Sequence, residues 1–322
     1  MRHIITGGSG FTGKVLTRLL LKTGNTVVHF DQKPVADGIF RERIQTVTGD
    51  IRNRDDVERL NLAAGDVIYH LAARQFANDV PKRNRDEWFS EVNVNGTQII
   101  VDAMQKAGSK KLVFFSTDMT YGNPGICPIP PDCEQKPLGP YGRSKLLAEK
   151  ILMNAEGINA TIFRPRLITG SGRLGILGKL FGLIYRGLPV PMIGDGSNRY
   201  QMVGVDDCAR AAMLAVRKGC PPGPFNLGSK SPPTTYDLLT GIIAHAKSRS
   251  RLLPIPAPAI KAVLSAMDRI GATLLYPEQF MIADADIMLE TSGTVEQLGW
   301  SPSLDDVSMM NAAYDAFITT RR

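Results

Sequence analysis

The 322-residue chain predicts an α/β fold, a doubly wound parallel sheet with a smaller C-terminal domain, and three observations carry that expectation. Short apolar runs alternate with amphipathic segments through the first half, the pattern of parallel strands joined by crossover helices. The first run leads straight into a glycine-rich loop. Beyond about residue 165 the regularity gives way to Gly- and Pro-rich stretches, "PMIGDGSN" and "LLPIPAPA" among them, between helical pieces.

In order, "HIIT" reads as a strand, 11–23 as a helix, and "TVVHF" as a second strand followed by a basic loop. Next come the strand "DVIYHLA", a helix near 90–107, the strand "KLVFFST", a helix near 141–155 and the strand "NATIFRP". These place a first domain at 1–165 and a smaller, partly intertwined second domain at 166–322. The passage near 200–228, "RYQMVGVDDCARAAMLAV" and then "PFNLGS", reads as a strand–helix–strand return to the first sheet.

Composition narrows the class. The chain is 43% hydrophobic and 21% charged, ordinary for a globular protein. It opens on a strand and glycines rather than a charged segment and an apolar core, so no secretion signal is expected. Its apolar stretches are broken short of the ~20 residues a spanning helix needs. The cysteines at 127, 133, 208 and 220 lack metal-ligand spacing and read as reduced thiols of a cytoplasmic protein. Histidines 3, 29, 70 and 245 form no ligand-spaced cluster, so no metal is expected, and His70 reads as a satisfied core residue. The net charge of +7 comes without a nucleic-acid-binding motif, and a site for an anionic small molecule accounts for it.

The loop Thr6-Gly7-Gly8-Ser9-Gly10-Phe11-Thr12-Gly13 follows a strand and opens a helix. Gly7/Gly10/Gly13 and Gly8/Gly10/Gly13 both fit a tight turn that lets backbone N–H groups approach a pyrophosphate at the helix N-terminus. Asp31 ends the second strand 18 residues after Gly13, where a carboxylate accepts from adenosine ribose hydroxyls and repels a 2′-phosphate. NAD is therefore favoured over NADP.

In "GPYGRSKLLAEKIL", Tyr141 and Lys145 lie four apart and share one helix face. An ammonium beside a phenol favours the phenolate, which suits Tyr141 to exchange a proton with a substrate hydroxyl. Thr117, at the end of "KLVFFST", is placed to orient that hydroxyl.

With these residues assembled, the chain resembles the extended short-chain dehydrogenase/reductases, in the branch of NAD-dependent nucleotide-sugar epimerases and dehydratases. The motifs "ITGGSGFTG", "GDIRN", "VIYHLAA", "NVNGTQII", "FFSTDMTYG", "PYGRSK", "FRPRLITGSG", "RYQMVGVDDCARA", "FNLGS" and "LGWSP" carry the resemblance over nearly the whole chain. It implies a Rossmann-type nucleotide-binding domain, a smaller substrate-binding domain, a nucleotide-sugar substrate and a homodimer formed through two helices of the first domain. It also implies that Gly7, Gly10, Phe11 and Gly13 cradle the pyrophosphate, that Asp31 and Gln32 meet the ribose, and that Asp50 and Ile51 flank the adenine. Leu71, Ala72 and Ala73 would line the cofactor, with Asn93 behind them and Pro165 at the nicotinamide. Thr117, Tyr141 and Lys145 match the catalytic set, with Tyr141 and Lys145 also on the cofactor. Asp118, Met119, Arg166 and Arg199 would face substrate, Arg199 as the diphosphate ligand.

Two departures from the family pattern bear on the reaction. Where many relatives carry an asparagine shortly after the arginine of "FRP", this chain reads Arg164-Pro165-Arg166-Leu167, leaving Arg166 as a charged substitute. Related 4,6-dehydratases follow the catalytic threonine with Asp-Glu, whereas Asp118 here precedes Met119, whose thioether cannot take a proton. Epimerisation, by transient oxidation and hydride return, is therefore expected ahead of dehydration. The alternatives are a 3β-hydroxysteroid-dehydrogenase-like oxidoreductase or ketosugar reductase, suggested by the apolar segment "LLPIPAPAIKAVLSAMDRIGATLLYPEQF", and a cofactor sensor without turnover.

Overall fold

The computed structural model describes residues 1–34, 43–76, 79–172 and 177–321. Strands β1 (Arg2–Thr6), β2 (Thr26–Asp31), β3 (Ile44–Thr48), β4 (Val67–His70), β5 (Lys111–Phe115) and β6 (Asn159–Pro165) come from the first half. The second half supplies β7 (Leu167–Thr169), β8 (Val190–Ile193), β9 (Met202–Gly204), β10 (Gly223–Leu227) and β11 (Leu252–Ile255). Seven strands form one parallel sheet in the order β10-β6-β5-β4-β1-β2-β3. The order reverses between β1 and β4, which opens a crevice at their C-terminal ends.

The two-residue period of the strands feeds two cores. Ile5, Val27, Val113 and Phe163 pack on one face with Leu16 and Leu20 of helix Phe11–Lys22, Ala209 and Ala212 of helix Val205–Arg217, and Trp300. Ile4, Val28, Ile68, Leu112 and Ile162 face the other way, onto Ile100 and Met104 of helix Gly96–Ala107 and Ala148 and Leu152 of helix Pro140–Met153. Adjacent residues of one strand thus enter opposite layers, which is why these strands read as continuous apolar runs.

A third core gathers Phe181, Leu238, Ile242, Tyr314 and Phe317 beneath helices Leu177–Tyr185, Thr235–His245 and Asp306–Thr319. Two short parallel pairs, β7 with β9 and β8 with β11, lie beside it. β10, from the second half of the chain, pairs with β6 from Gly223 opposite Thr161 to Leu227 opposite Pro165.

Two local features differ from the sequence reading. β3 occupies part of the stretch read as a loop; it is an edge strand with Ile44 its one buried residue, so it carries no apolar alternation. The helix near 90–107 is three pieces, Arg85–Ser90, a π-turn Glu91–Asn95 and Gly96–Ala107. The wider π-turn adds a residue to the helical path and marks a functional position in many proteins. Among the described residues no helix is long and apolar enough to cross a membrane, and no three metal-ligating side chains cluster.

Candidate active site

Because all seven strands are parallel, the segments that follow β1, β2, β4, β5 and β6 emerge at one edge of the sheet. After β1 the chain turns at Gly7, whose φ of +72° suits glycine and whose absent side chain admits Ala72 N to 2.7 Å of the Cβ position. Gly10 N donates to Gly7 O at 3.0 Å, and helix Phe11–Lys22 begins at Gly10 with no side-chain cap. That uncapped first turn is the arrangement that suits a helix N-terminus to an anion. A Cβ at Gly13 would lie 2.6 Å from Gly7 O. These contacts place the conformational demand at Gly7, while Gly8 is held small by the His29 ring, 2.5 Å from its Cβ position. Phe11 packs at 3.4 Å beneath the Cβ position of Gly170, after β7.

Asp31, at the end of β2, accepts from Ser9 N at 3.0 Å and Lys33 N at 3.1 Å, which binds it to the glycine loop. Gln32 Nε2 donates to Asp50 Oδ2 at 2.9 Å. Hydrogen bonds from Arg52 hold the Asp50 carboxyl below its ordinary range. Ile51 is buried, its Cγ2 2.8 Å from the Cβ position of Gly96.

After β4, Leu71 N donates to Thr6 O and Ala72 N to Thr6 Oγ1. Thr6 Oγ1 is 2.8 Å from His70 Nδ1, and His70 Nε2 is 2.9 Å from Thr97 Oγ1, which donates to Asn93 O. One assignment satisfies every partner: Thr6 donates to Nδ1 and neutral His70 donates from Nε2. Burial, with Lys145 nearby, holds the His70 imidazole down to about 3, so it stays neutral and structural. Asn93, in the π-turn, accepts from Arg74 N at 2.8 Å and donates to Arg74 O and Ser144 Oγ. That side chain ties the segment after Ala73 to the helix bearing Tyr141.

β5 runs into a single 3₁₀ turn, Asp118–Thr120. Thr117 Oγ1 donates to Asp118 Oδ1 at 3.2 Å and accepts from Met119 N at 3.3 Å. The other Asp118 oxygen accepts from Arg166 Nη1 at 2.7 Å, and both side chains are buried. Arg166 lies over the Tyr200 ring at 5.2 Å, while its buried Nε has no partner. The turn sits against the Tyr141 helix because Gly142 leaves room: a Cβ there would stand 2.6 Å from Met119 O.

Tyr141 and Lys145 are both buried on helix Pro140–Met153. Lys145 Nζ lies 3.9 Å from the centroid of the Phe114 ring, and burial lowers its ammonium to about 7 against a smaller opposing pull from Glu149. Phe76 and Phe89 flank the Tyr141 ring at 5.2 and 5.6 Å, and Tyr276 stacks on Phe76 at 4.6 Å. Pro165 ends β6. Arg199 is exposed, next to the Tyr200 that Arg166 covers; it donates from Nη1 to Pro232 O at 2.8 Å, and its backbone N donates to Asp286.

The model of the NAD dependent epimerase/dehydratase family matches residues 3–228. The chain belongs to that family. Among its relatives, UDP-glucose 4-epimerase of Streptomyces lividans is 27% identical over 98% of this chain and 95% of its own length. An uncharacterized protein of Sinorhizobium fredii, y4nG, is 32% identical over 99% of this chain and 79% of its own. UDP-glucose 4-epimerase of Thermotoga maritima, solved with UDP-glucose, superposes with a TM-score of 0.81 at 22% identity over 100% of both chains. UDP-glucuronic acid 4-epimerase of Bacillus cereus, solved with UDP-glucuronic acid and NAD, gives 0.80 at 22% identity, covering 99% of this chain and 100% of its own. At that identity the shared feature is the fold, a Rossmann-type sheet. Family membership makes the chain an NAD-dependent enzyme of the epimerase and oxidoreductase kind.

Three groups in this family member carry no sequence signal that singles them out. Glu278 accepts from Tyr141 N and Gly142 N across 137 and 136 residues. Phe76 meets the Tyr141 ring, and Tyr276, from a distant part of the chain, stacks on Phe76. The pairing of Asp118 with Arg166 was equally hidden, since each residue had been read as facing substrate on its own.

Proposed function

We propose that the protein is an NAD-dependent nucleoside-diphosphate-sugar epimerase that oxidises a sugar hydroxyl to a ketone and restores it with inverted configuration. The observation that carries this reading is the state of the segment after β5. Thr117 stands there beside a buried Tyr141/Lys145 helix, but the groups for water loss are disabled. Asp118 accepts hydrogen bonds at both oxygens, from Thr117 and Arg166, and Met119 has no acceptor for a carbon-bound proton. Redox at a hydroxyl remains available, whereas elimination lacks the base that position 119 would have to supply.

The residues present fit the dinucleotide. Gly7, Gly10, Phe11 and Gly13 would hold its pyrophosphate against the uncapped helix start, and Asp31 with Gln32 its adenosine ribose. Asp50 and Ile51 would flank the adenine, Leu71, Ala72 and Ala73 would line the bound molecule, and Lys145 and Pro165 would meet the nicotinamide half. Bound NAD supplies a hydride acceptor and donor. Tyr141 takes the substrate hydroxyl proton and gives it back, Lys145 favours the phenolate, and Thr117 orients the hydroxyl. Arg199 offers its guanidinium to the substrate diphosphate, and the unpartnered Nε of Arg166 is a further donor.

A homodimer fits the same reading. Helices Gly96–Ala107 and Pro140–Met153 line a surface groove with Val101, Leu147 and Ile151, and Leu147 is 46% exposed. The experiment is incubation with a panel of nucleoside-diphosphate sugars and mass-spectrometric and chromatographic analysis of products. An isomer of unchanged mass, formed without consumption of added NAD, is expected; a dehydrated or net oxidised product alone would overturn the proposal.

One observation favours a second reading, an oxidoreductase for a hydrophobic alcohol. Aromatic rings surround Tyr141, and helix Ala257–Arg269 buries Leu264 while Val263, Ile270 and Leu274 on and beyond it are more than half exposed. Stoichiometric NADH formation from a sterol-like alcohol, with none from nucleotide sugars, would select it.

A further inference from the structure

Helix Pro140–Met153 opens at Gly139 with no side-chain cap. Pro140 has no N–H, and Arg143 N donates to Gly139 O at 3.0 Å, which leaves Tyr141 N and Gly142 N as the donors of the first turn. One carboxylate takes both: Tyr141 N donates to Glu278 Oε1 and Gly142 N to Oε2, each at 2.9 Å. Glu278 is 3% exposed. Its neighbour Tyr276 stacks on Phe76, which meets the Tyr141 ring, so one C-terminal segment grips both the backbone and the ring surroundings of the same tyrosine.

We propose that Glu278 is a positioning residue for the reaction: its buried carboxylate fixes the start of the Tyr141 helix and offsets the positive field that the helix N-terminus and an oxidised nicotinamide exert on Tyr141. The charges facing it are Arg143 and Asp86, which pair with each other at 2.8 Å and act on it in opposite directions, Arg143 the more strongly. A base that must accept a proton and return it works best when neither form is held too firmly. The helix end and an oxidised nicotinamide favour phenolate, and Glu278 is the opposing charge. Burial raises the Glu278 carboxyl, against the hydrogen bonds from Gly142 and Tyr141 that hold it down.

The proposal rests on Tyr141 as the base, and its test does not need the substrate. Tyrosinate absorbance is titrated in the purified protein with NAD present, and the Tyr141 signal is isolated by subtracting the matching Tyr141→Phe titration. In Glu278→Gln the midpoint is expected to fall by roughly one pH unit, since a nearby opposing charge has been removed. The acid limb of kcat/KM is expected to move the same way, with kcat changed more than KM. A folded Glu278→Gln protein with an unchanged midpoint would overturn the proposal and leave Glu278 as a cap. If that variant does not fold, Glu278→Asp, whose carboxylate is drawn back by one methylene, decides: a smaller fall in midpoint with reduced kcat supports it, and parental values overturn it. A shifted midpoint in a protein that isomerises no nucleotide sugar would uphold Glu278 and sink the epimerase reading instead.

Discussion

Arg166 donates to Asp118 at 2.7 Å, and this buried pair stands next to Thr117, whose hydroxyl donates to the same carboxylate. The pair couples the loop after β5 to the start of β7, two segments 48 residues apart.

Breaking that pair on one side strands a charge in the interior. Arg166→Met is expected to cost about 3–5 kcal/mol of stability, with Asp118→Asn in a similar range. Urea denaturation of the two single variants and the double variant measures this, and the double variant should lose less than the sum. Additive losses would show that the two groups do not act as a pair.

Lys145 gives a pH dependence of the opposite kind. Burial lowers its ammonium from 10.5 to about 7. Between those values the unfolded chain binds more protons than the folded one, so this group's contribution to stability rises with pH across the window, and its penalty is full below about pH 7. Without cofactor, Lys145→Met is expected to be more stable than the parent near pH 6, by a few kcal/mol on the order set by 1.36 kcal/mol per unit. The gap should close toward pH 10, while turnover is lost. Denaturation midpoints at several pH values check the sign.

Gly7→Ala places a Cβ 2.7 Å from Ala72 N at a φ of +72°. The loop must shift, and NAD affinity is expected to fall at least tenfold, about 1.4 kcal/mol. Calorimetric titration with NAD measures it, and wild-type affinity would refute the placement of the pyrophosphate at this turn.

As a test of the proposed dimer, Leu147→Glu puts a charge on the helix face carrying Leu147 and Ile151. Sedimentation is expected to show a monomer with an unchanged circular dichroism spectrum, since Leu147 is half exposed within the protomer. A persisting dimer would move the interface elsewhere.

Much of the first half of the fold was legible because its signals are local. The glycine loop, the strand-ending Asp31 and the Tyr141/Lys145 spacing each depend on a few neighbouring residues. β3 was not legible, since an edge strand with one buried residue shows no periodicity. Nor was the π-turn, which shifts Asn93 within an otherwise helical stretch and lets it join Arg74 to Ser144.

The sequence by itself determined the alternating layers, the turn chemistry at Gly7 and the helix face shared by Tyr141 and Lys145, because backbone sterics and side-chain periods act over a few residues. Tertiary structure alone decided that Asp118 is held by Arg166, that Glu278 closes the helix bearing Tyr141 and that aromatic rings flank Tyr141. The cost of a buried charge or an unpaired N–H falls on the folded molecule, and its remedy came from residues 48 and 137 positions away.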